Sequence, residues 1–185
     1  LFEPVRHGDL EARRLALAEQ NVRVVEALNA AKTAILSRFG RSGRPGVQSG
    51  LYFRLYYMAQ DFHERASSSH YPYNALAEAF FHSDVLYRCQ RVLGLVGRDC
   101  LALAEAIRLR TRWQRDATTP LAVEAMQAAA AYAGERLPAG DEQGLRAQRA
   151  LRALVSNLSA MDTEVAGVME RALHRMPADT ALQDT

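Results

Sequence analysis

The stretch "AQRALRALVSNLSAMDTEVAGVMERA", Ala147 to Ala172, decides the fold class. Its apolar residues Ala147, Leu151, Leu154, Leu158, Met161, Val165, Val168 and Ala172 are spaced 4-3-4-3-4-3-4. At 3.6 residues per turn that spacing returns each side chain to one face, so the segment reads as an amphipathic helix with a lengthwise apolar seam. A half-buried strand would need strict alternation instead, and no useful length of it occurs here or elsewhere in the chain.

Two further segments repeat the pattern. Leu86, Cys89, Leu93, Val96, Cys100, Leu103 and Ile107 follow 3-4-3-4-3-4 spacing. Near the start, Leu17, Val24, Leu28, Ala31 and Ile35 form a seam with Asn21 at the skipped position. Punctuation then sets the boundaries. Asp9 is placed to cap a first helix over residues 10–39, which "GRSGRPG" (Gly40 to Gly46) ends. A second helix is predicted from Ser49 to Ser68, before "HYPY", where Pro72 disfavours helical geometry at Tyr71. Asn74 opens a third, long helix reaching about Trp113. In "RDATTP", Thr119 is read as a cap and Pro120 as the first helical residue of a fourth. That helix stops at "LPAG", and Asp141 opens a fifth, to about Arg175. The expected fold is all-α: an elongated antiparallel bundle of about five helices, forming one soluble domain over residues 1–185. Because the repeat stays heptad-like over several turns, a homo-oligomer through such a seam is a further expectation.

Composition narrows the class. The 185 residues are 49% hydrophobic and 24% charged, the balance of a globular chain able to bury a core. A formal net charge of +2 argues against a nucleic-acid binder, whose mark is a clustered basic excess. Lys32 is the only lysine, so the positive charge is almost all arginine. Cys89 and Cys100 lie eleven apart. On one helix that separates them by roughly 16 Å at ~1.5 Å per residue, beyond the ~7 Å a disulfide spans. Free thiols fit a reducing compartment. No run of ~18 apolar residues is present; the nearest approach, "LAVEAMQAAAAYAG", contains Glu124 and Gln127. The opening "LFEPVRHGDL" reads as a cut from a longer protein.

Standard catalytic signatures do not occur. His63-Glu64 is followed by Arg65-Ala66-Ser67, so there is no H-E-x-x-H, and C-x-x-C, Walker and G-x-S-x-G motifs are missing, as are the Glu-x-x-His pairs of di-iron bundles. Gly40, Gly43 and Gly46 follow a helix rather than a strand, which reads as a linker and not a phosphate cradle. Arg38, Arg41 and Arg44 around that loop are expected to touch anionic lipid headgroups where it lies near a membrane.

The least ordinary polar stretch is "HERASSSHYPY", His63 to Tyr73. On a helix Tyr52, Tyr56, Ala59, His63, Ala66 and His70 share one stripe, flanked by Leu51, Leu55, Met58 and Phe62. Asp61 precedes Arg65 by four, the favourable order for a helical ion pair. Beyond the turn, Asp84 precedes Arg88 by four and Arg91 continues that face, while His82 extends the following seam backward. Two readings follow. In the structural one, Asp61, Arg65, Asp84, Arg88 and Arg91 are a polar clamp, and truncating a buried, paired member costs roughly 3–5 kcal/mol. In the functional one, His63, His70 and His82 mark a ligand or interaction corner. A metal site there, completed by Asp61 or Asp84, has chemically sound ligands, but the spacings match no metal motif, and neither metal nor cofactor is expected. Ser67, Ser68 and Ser69 read as helix-terminating and turn-bonding residues.

The block "YYMAQDFHERASSSHYPYNALAEAFFHSDVLYRCQRVLG", Tyr56 to Gly94, resembles the YccS/YhfK-type members of the FUSC (fusaric-acid-resistance-like) inner membrane family. "EQNVRVVEALNAAKTAIL" resembles the helix preceding that block, so the likeness covers most of residues 10–110. The resemblance implies a helical soluble region between two membrane halves of one polypeptide, on the cytoplasmic face of the bacterial inner membrane. Relatives are described as exporters, aromatic-acid efflux proteins among them. It supplies no catalytic or substrate-binding residues. The expected role is non-enzymatic: assembly, gating or coupling of the membrane halves. The rivals are a small-ligand-sensing module at the histidine corner, a metal-dependent enzyme and a stand-alone helical bundle.

Overall fold

A computed structural model of the chain describes residues 9–42, 47–68, 73–109, 111, 113–136 and 142–173. All regular structure among them is helical, in the order α1 (Asp9–Ser42), α2 (Val47–Ser68), α3 (Tyr73–Ala79), α4 (Val85–Leu109), α5 (Thr118–Glu135) and α6 (Glu142–Leu173). The all-α expectation is met with six helices, because the long third helix is two. Phe80 N–H still bonds the Leu76 carbonyl at 3.0 Å, but Ser83 N–H turns back to the Phe80 carbonyl at 3.0 Å. Ser83 Oγ then accepts from Val85 N–H at 3.1 Å, an N-cap that starts α4 afresh. At the far end α4 stops at Leu109, and Thr111 N–H closes onto the Ala106 carbonyl at 3.0 Å.

The described residues fall into two compact units, one built from Glu64–Val165 and one from the described parts of Val5–His63 and Ala166–Thr185. The Glu64–Val165 unit holds a close-packed core. From α6 it takes Ala147, Leu151, Leu154, Leu158, Met161 and Val165, the seam that the spacing predicts. From α5 come Ala122, Val123, Met126 and Ala133, from α3 Leu76, and from the connecting segments Phe80 and Trp113. α5 and α6 run antiparallel. Gln127 Nε2 donates to Ser159 Oγ at 2.9 Å, and seven residues on, the Gly134 carbonyl accepts from Gln148 Nε2 at 3.1 Å. A Cβ at position 134 would stand 2.9 Å from that amide nitrogen, the far end of a flexible side chain, so a larger residue there would displace the Gln148 amide rather than the helices.

On α4 the buried face is rotated from the predicted one. Val85, Cys89, Val92, Val96, Asp99, Leu103 and Ala106 are buried, together with Leu95. Cys89, Val96 and Leu103 belong to the expected seam, but Leu93 faces solvent and Leu86, Cys100 and Ile107 are half-buried. One flank of the 89-96-103 line is wholly apolar (Leu86, Leu93, Cys100, Ile107) and the other carries Asp99, so hydrophobicity alone favours the flank that is not packed. The packed flank carries the smaller Val85, Val92 and Ala106, which fits α4 closely against the alanine-rich α5. α5 itself begins at Thr118, where Asp116 Oδ1 accepts from Thr118 N–H and from Thr118 Oγ1, each at 2.8 Å. The N-cap position is Ala117, without a side-chain cap bond; Asp116, one residue before it, supplies the bonds at this helix start, and Thr119, the residue expected to cap, is buried in its first turn.

In the other unit α1 and α2 form an antiparallel pair. Asn21 meets His63 in the first half of α1, and Arg38 lies over the Tyr52 ring, 5.9 Å from its centroid, near the end. The predicted α1 seam faces α2, with Val24, Leu28 and Ile35 half-buried. Among the described side chains of α1 and of α2 up to His63, none is fully buried. No helix among the described residues is long and apolar enough to cross a membrane.

Candidate functional site

The sharpest polar feature is on the first turns of α4. Arg88 Nε donates to Asp84 Oδ2 at 2.8 Å and its Nη2 lies 2.7 Å from the same oxygen, the i,i+4 pair expected from the spacing. The pair lies at the surface: the Arg88 and Asp84 side chains are 39% and 59% exposed. Hydrogen bonding from Arg88 holds the Asp84 carboxyl below its ordinary value, with a small opposing effect of burial. Tyr87, Arg88, Arg91 and Asp84 line a hollow of about 110 Å³ floored by Ala122 and Ala125 of α5. The two alanines leave the room, and the chemistry on offer is ion pairing and hydrogen bonding from guanidinium groups.

The other acid–arginine position sits on α2. Arg65 Nη1 donates to Asn157 Oδ1 at 3.2 Å, and Nη2 lies 3.8 Å from Glu164 Oε1, both on α6. This arginine thus ties the last turn of α2 to α6 inside the Glu64–Val165 unit. Asp61 is half-buried on α2. Ser67 Oγ donates to the Glu64 carbonyl at 3.4 Å, as a helix-ending serine does. Ser69 and the Ser68 side chain lie outside the described residues.

Of the three histidines, His63 is half-buried and its Nε2 lies 2.8 Å from Asn21 Oδ1, so the tautomer with a proton on Nε2 donates there. His82 is exposed, its ring edge-on to Phe81 at 5.2 Å between centroids. His70 lies outside the described residues. Among the described residues no group of three or more His, Cys, Asp or Glu side chains is placed to hold a metal ion. Of the three loop arginines, Arg38 is described on α1, while Arg44 and the Arg41 side chain are not. Between α1 and α2, Leu28, Ala31, Ala34, Ile35 and Arg38 face Tyr52, Leu55, Tyr56 and Ala59 across an open apolar groove of about 370 Å³.

A second polar cluster was not anticipated from the sequence. Arg115, in the segment before α5, pairs through Nη2 with Asp162 on α6, and its Nε lies 3.7 Å from Asp99 Oδ2 on α4. Asp99 is only 3% exposed and Asp162 is buried. The indole N–H of Trp113 and the hydroxyl of Thr119 are buried with no hydrogen-bond partner. A signal was present: Asp99 continues the line Val92, Val96, Leu103 at 4-3-4 spacing, and Asp162 abuts the α6 seam at Met161. The free thiols are held neutral by the same packing, since burial pushes Cys89 and Cys100 up to about 11.

An all-helical domain with paired arginines and a half-covered α1–α2 hairpin has relatives among membrane proteins. The family model described as FUSC-like inner membrane protein yccS matches residues 1–165. The chain is 34% identical over 180 residues to Inner membrane protein YccS of Escherichia coli (strain K12), covering 96% of this chain and 24% of that protein. It is 35% identical over 108 residues to an uncharacterized protein of Haemophilus influenzae (strain ATCC 51907 / DSM 11121 / KW20 / Rd), covering 58% of this chain and 15% of that one. No solved structure matches it. The chain belongs to the FUSC-like inner membrane protein family of YccS type, and it spans about a quarter of the length of the E. coli relative.

Proposed function

We propose that this chain is a non-catalytic helical domain on the cytoplasmic face of an inner-membrane efflux protein, where it serves assembly, gating or coupling of the membrane halves. The observation that carries the reading is the contrast between its two units, taken with the family. The Glu64–Val165 unit has a full core, whereas the described α1 side chains and those of α2 up to His63 are nowhere fully buried. A helical pair of that kind is marginal by itself and suits a surface that another body covers. Arg65, tied to Asn157 and Glu164, stiffens the end of α2 as a coupling element requires.

Reporter fusions in the parent protein test the placement. Green fluorescent protein inserted between α5 and α6 should fluoresce, and an alkaline phosphatase fusion there should be inactive; the opposite pattern overturns the cytoplasmic assignment. Deleting residues 9–68 should abolish export-dependent resistance while the protein still reaches the membrane. Unchanged resistance overturns the coupling role.

A small-ligand sensor is the second reading, favoured by the groove of about 370 Å³ with Arg38 at one end. Millimolar aromatic carboxylates should then raise the melting temperature, and no shift counts against a sensor.

A further inference from the structure

Two guanidinium groups meet the hollow between α4 and α5, and only one of them is engaged. Arg88 commits Nε and Nη2 to a single oxygen of Asp84, which leaves Nη1 uncommitted. Arg91, on the next turn of α4, is exposed and makes no hydrogen bond or ion pair among the described residues. Tyr87, 65% exposed, lines the same hollow, and Ala122 and Ala125 of α5 floor it without filling it. Asp84 is the only acid among the lining residues. Arg88 cancels its charge, so the lining keeps one net positive charge, that of Arg91.

Size and charge together select what fits. The hollow of about 110 Å³ is smaller than the roughly 300–1,000 Å³ of pockets that enclose a whole small molecule. It therefore takes one functional group and leaves the rest of its bearer outside. A single unbalanced cation matches a single negative charge, whereas a phosphate dianion would set its second charge against Asp84. A guanidinium fork meets the edge of a carboxylate in two parallel hydrogen bonds. The Tyr87 hydroxyl is a further donor, and its ring is an apolar wall for the carbon that bears the group. We propose that Arg91, with Arg88 Nη1 and Tyr87 beside it, binds a carboxylate in this hollow. A small organic acid and an acidic side chain of a partner segment present that same group. The hollow lies wholly within the Glu64–Val165 unit, so its occupancy does not depend on the coupling role proposed above.

Nitrogen-15 spectra of the arginine Nε–H groups test it, with sodium acetate titrated against sodium chloride at matched ionic strength. Arg88 and Arg91 should shift saturably with acetate alone, while Arg149 and Arg152, exposed on α6, should move no more than in chloride. Ala125→Leu, which fills the floor, should abolish the saturable shift with the helical circular dichroism unchanged, and Arg91→Gln should abolish that of Arg88. A shift at Arg91 that never saturates, or that Arg149 matches, overturns the site, as does a saturable shift that survives both substitutions. A capped glutamate-rich peptide in place of acetate separates the sources. Binding tighter than acetate assigns the hollow to an acidic side chain of a partner, and equal or weaker binding assigns it to a free small acid.

Discussion

The guanidinium of Arg115 lies on the carboxylate of Asp162, forty-seven residues further along the chain, with Asp99 on its other side. One cation therefore serves two carboxylates in the core of the Glu64–Val165 unit. Removing it would leave both acids buried without a partner. Arg115→Ala should lower stability by roughly 3–5 kcal/mol, the range for breaking a buried pair from one side. Urea unfolding at pH 7 measures it, and a change below about 1 kcal/mol would place Arg115 in the weak, solvent-screened class.

The Asp84–Arg88 pair provides the contrast. It has the better geometry but lies in solvent, so Arg88→Ala should melt close to wild type. The residual effect has a definite pH dependence. Asp84's carboxyl is held below its ordinary 3.8 by the Arg88 hydrogen bond. A depressed carboxylate stabilises the fold above its unfolded value, and the contribution fades as pH falls through the folded value. Any wild-type advantage over Arg88→Ala should thus be present at pH 7, shrink in added salt, and vanish once the pH passes below the lowered value. Melting curves across that range read it directly.

Burial pushes both thiols up to about 11, Cys100 with a further push from Asp99. The native protein should therefore resist iodoacetamide at pH 8 and label at both cysteines in 8 M urea. Because the folded values lie above the unfolded ones, their contribution to stability is complete below about pH 9 and is lost as pH rises toward 11. Rapid native labelling of Cys89 at pH 8 would contradict the packing of α4.

Thr119 has a fully buried hydroxyl with no partner. Thr119→Val keeps the β-branched shape and replaces a desolvated polar group by a methyl. Equal stability or a gain of up to about 1 kcal/mol is expected. A loss of more than that in chemical denaturation would mean the hydroxyl is bonded in solution.

How far the sequence could be read follows from what surrounds each helix. On α6 Ala147, Leu151, Leu154, Leu158, Met161, Val165 and Val168 form an unbroken 4-3 line, longer than any rival line on that helix, so they could be assigned without knowing a neighbour. On α4 the line at Cys89, Val96 and Leu103 had a wholly apolar flank and one that carries Asp99, and the second is packed because of the shape of α5 and a partner outside the helix. Asp99 lies on that packed flank, and its burial makes sense only with Arg115 beside it. The break at Phe80–Asp84 carries neither proline nor glycine, and the hint was Ser83, a capping side chain inside an apparently continuous pattern. Asn21 falls in the α1 seam and His63 on an α2 stripe, but forty-two residues of separation hid that they meet.

Trp113 is the only tryptophan, and it is buried in the Glu64–Val165 unit. Its emission is therefore a built-in optical label for that unit alone, blue-shifted while the core is dry. Far-ultraviolet circular dichroism sums all six helices. The two signals overlay during denaturation only if α1 and the start of α2 melt together with the core, and a lag between them makes the chain three-state rather than two-state. The position of one indole thus makes the independence of the two units a question of two superimposed curves.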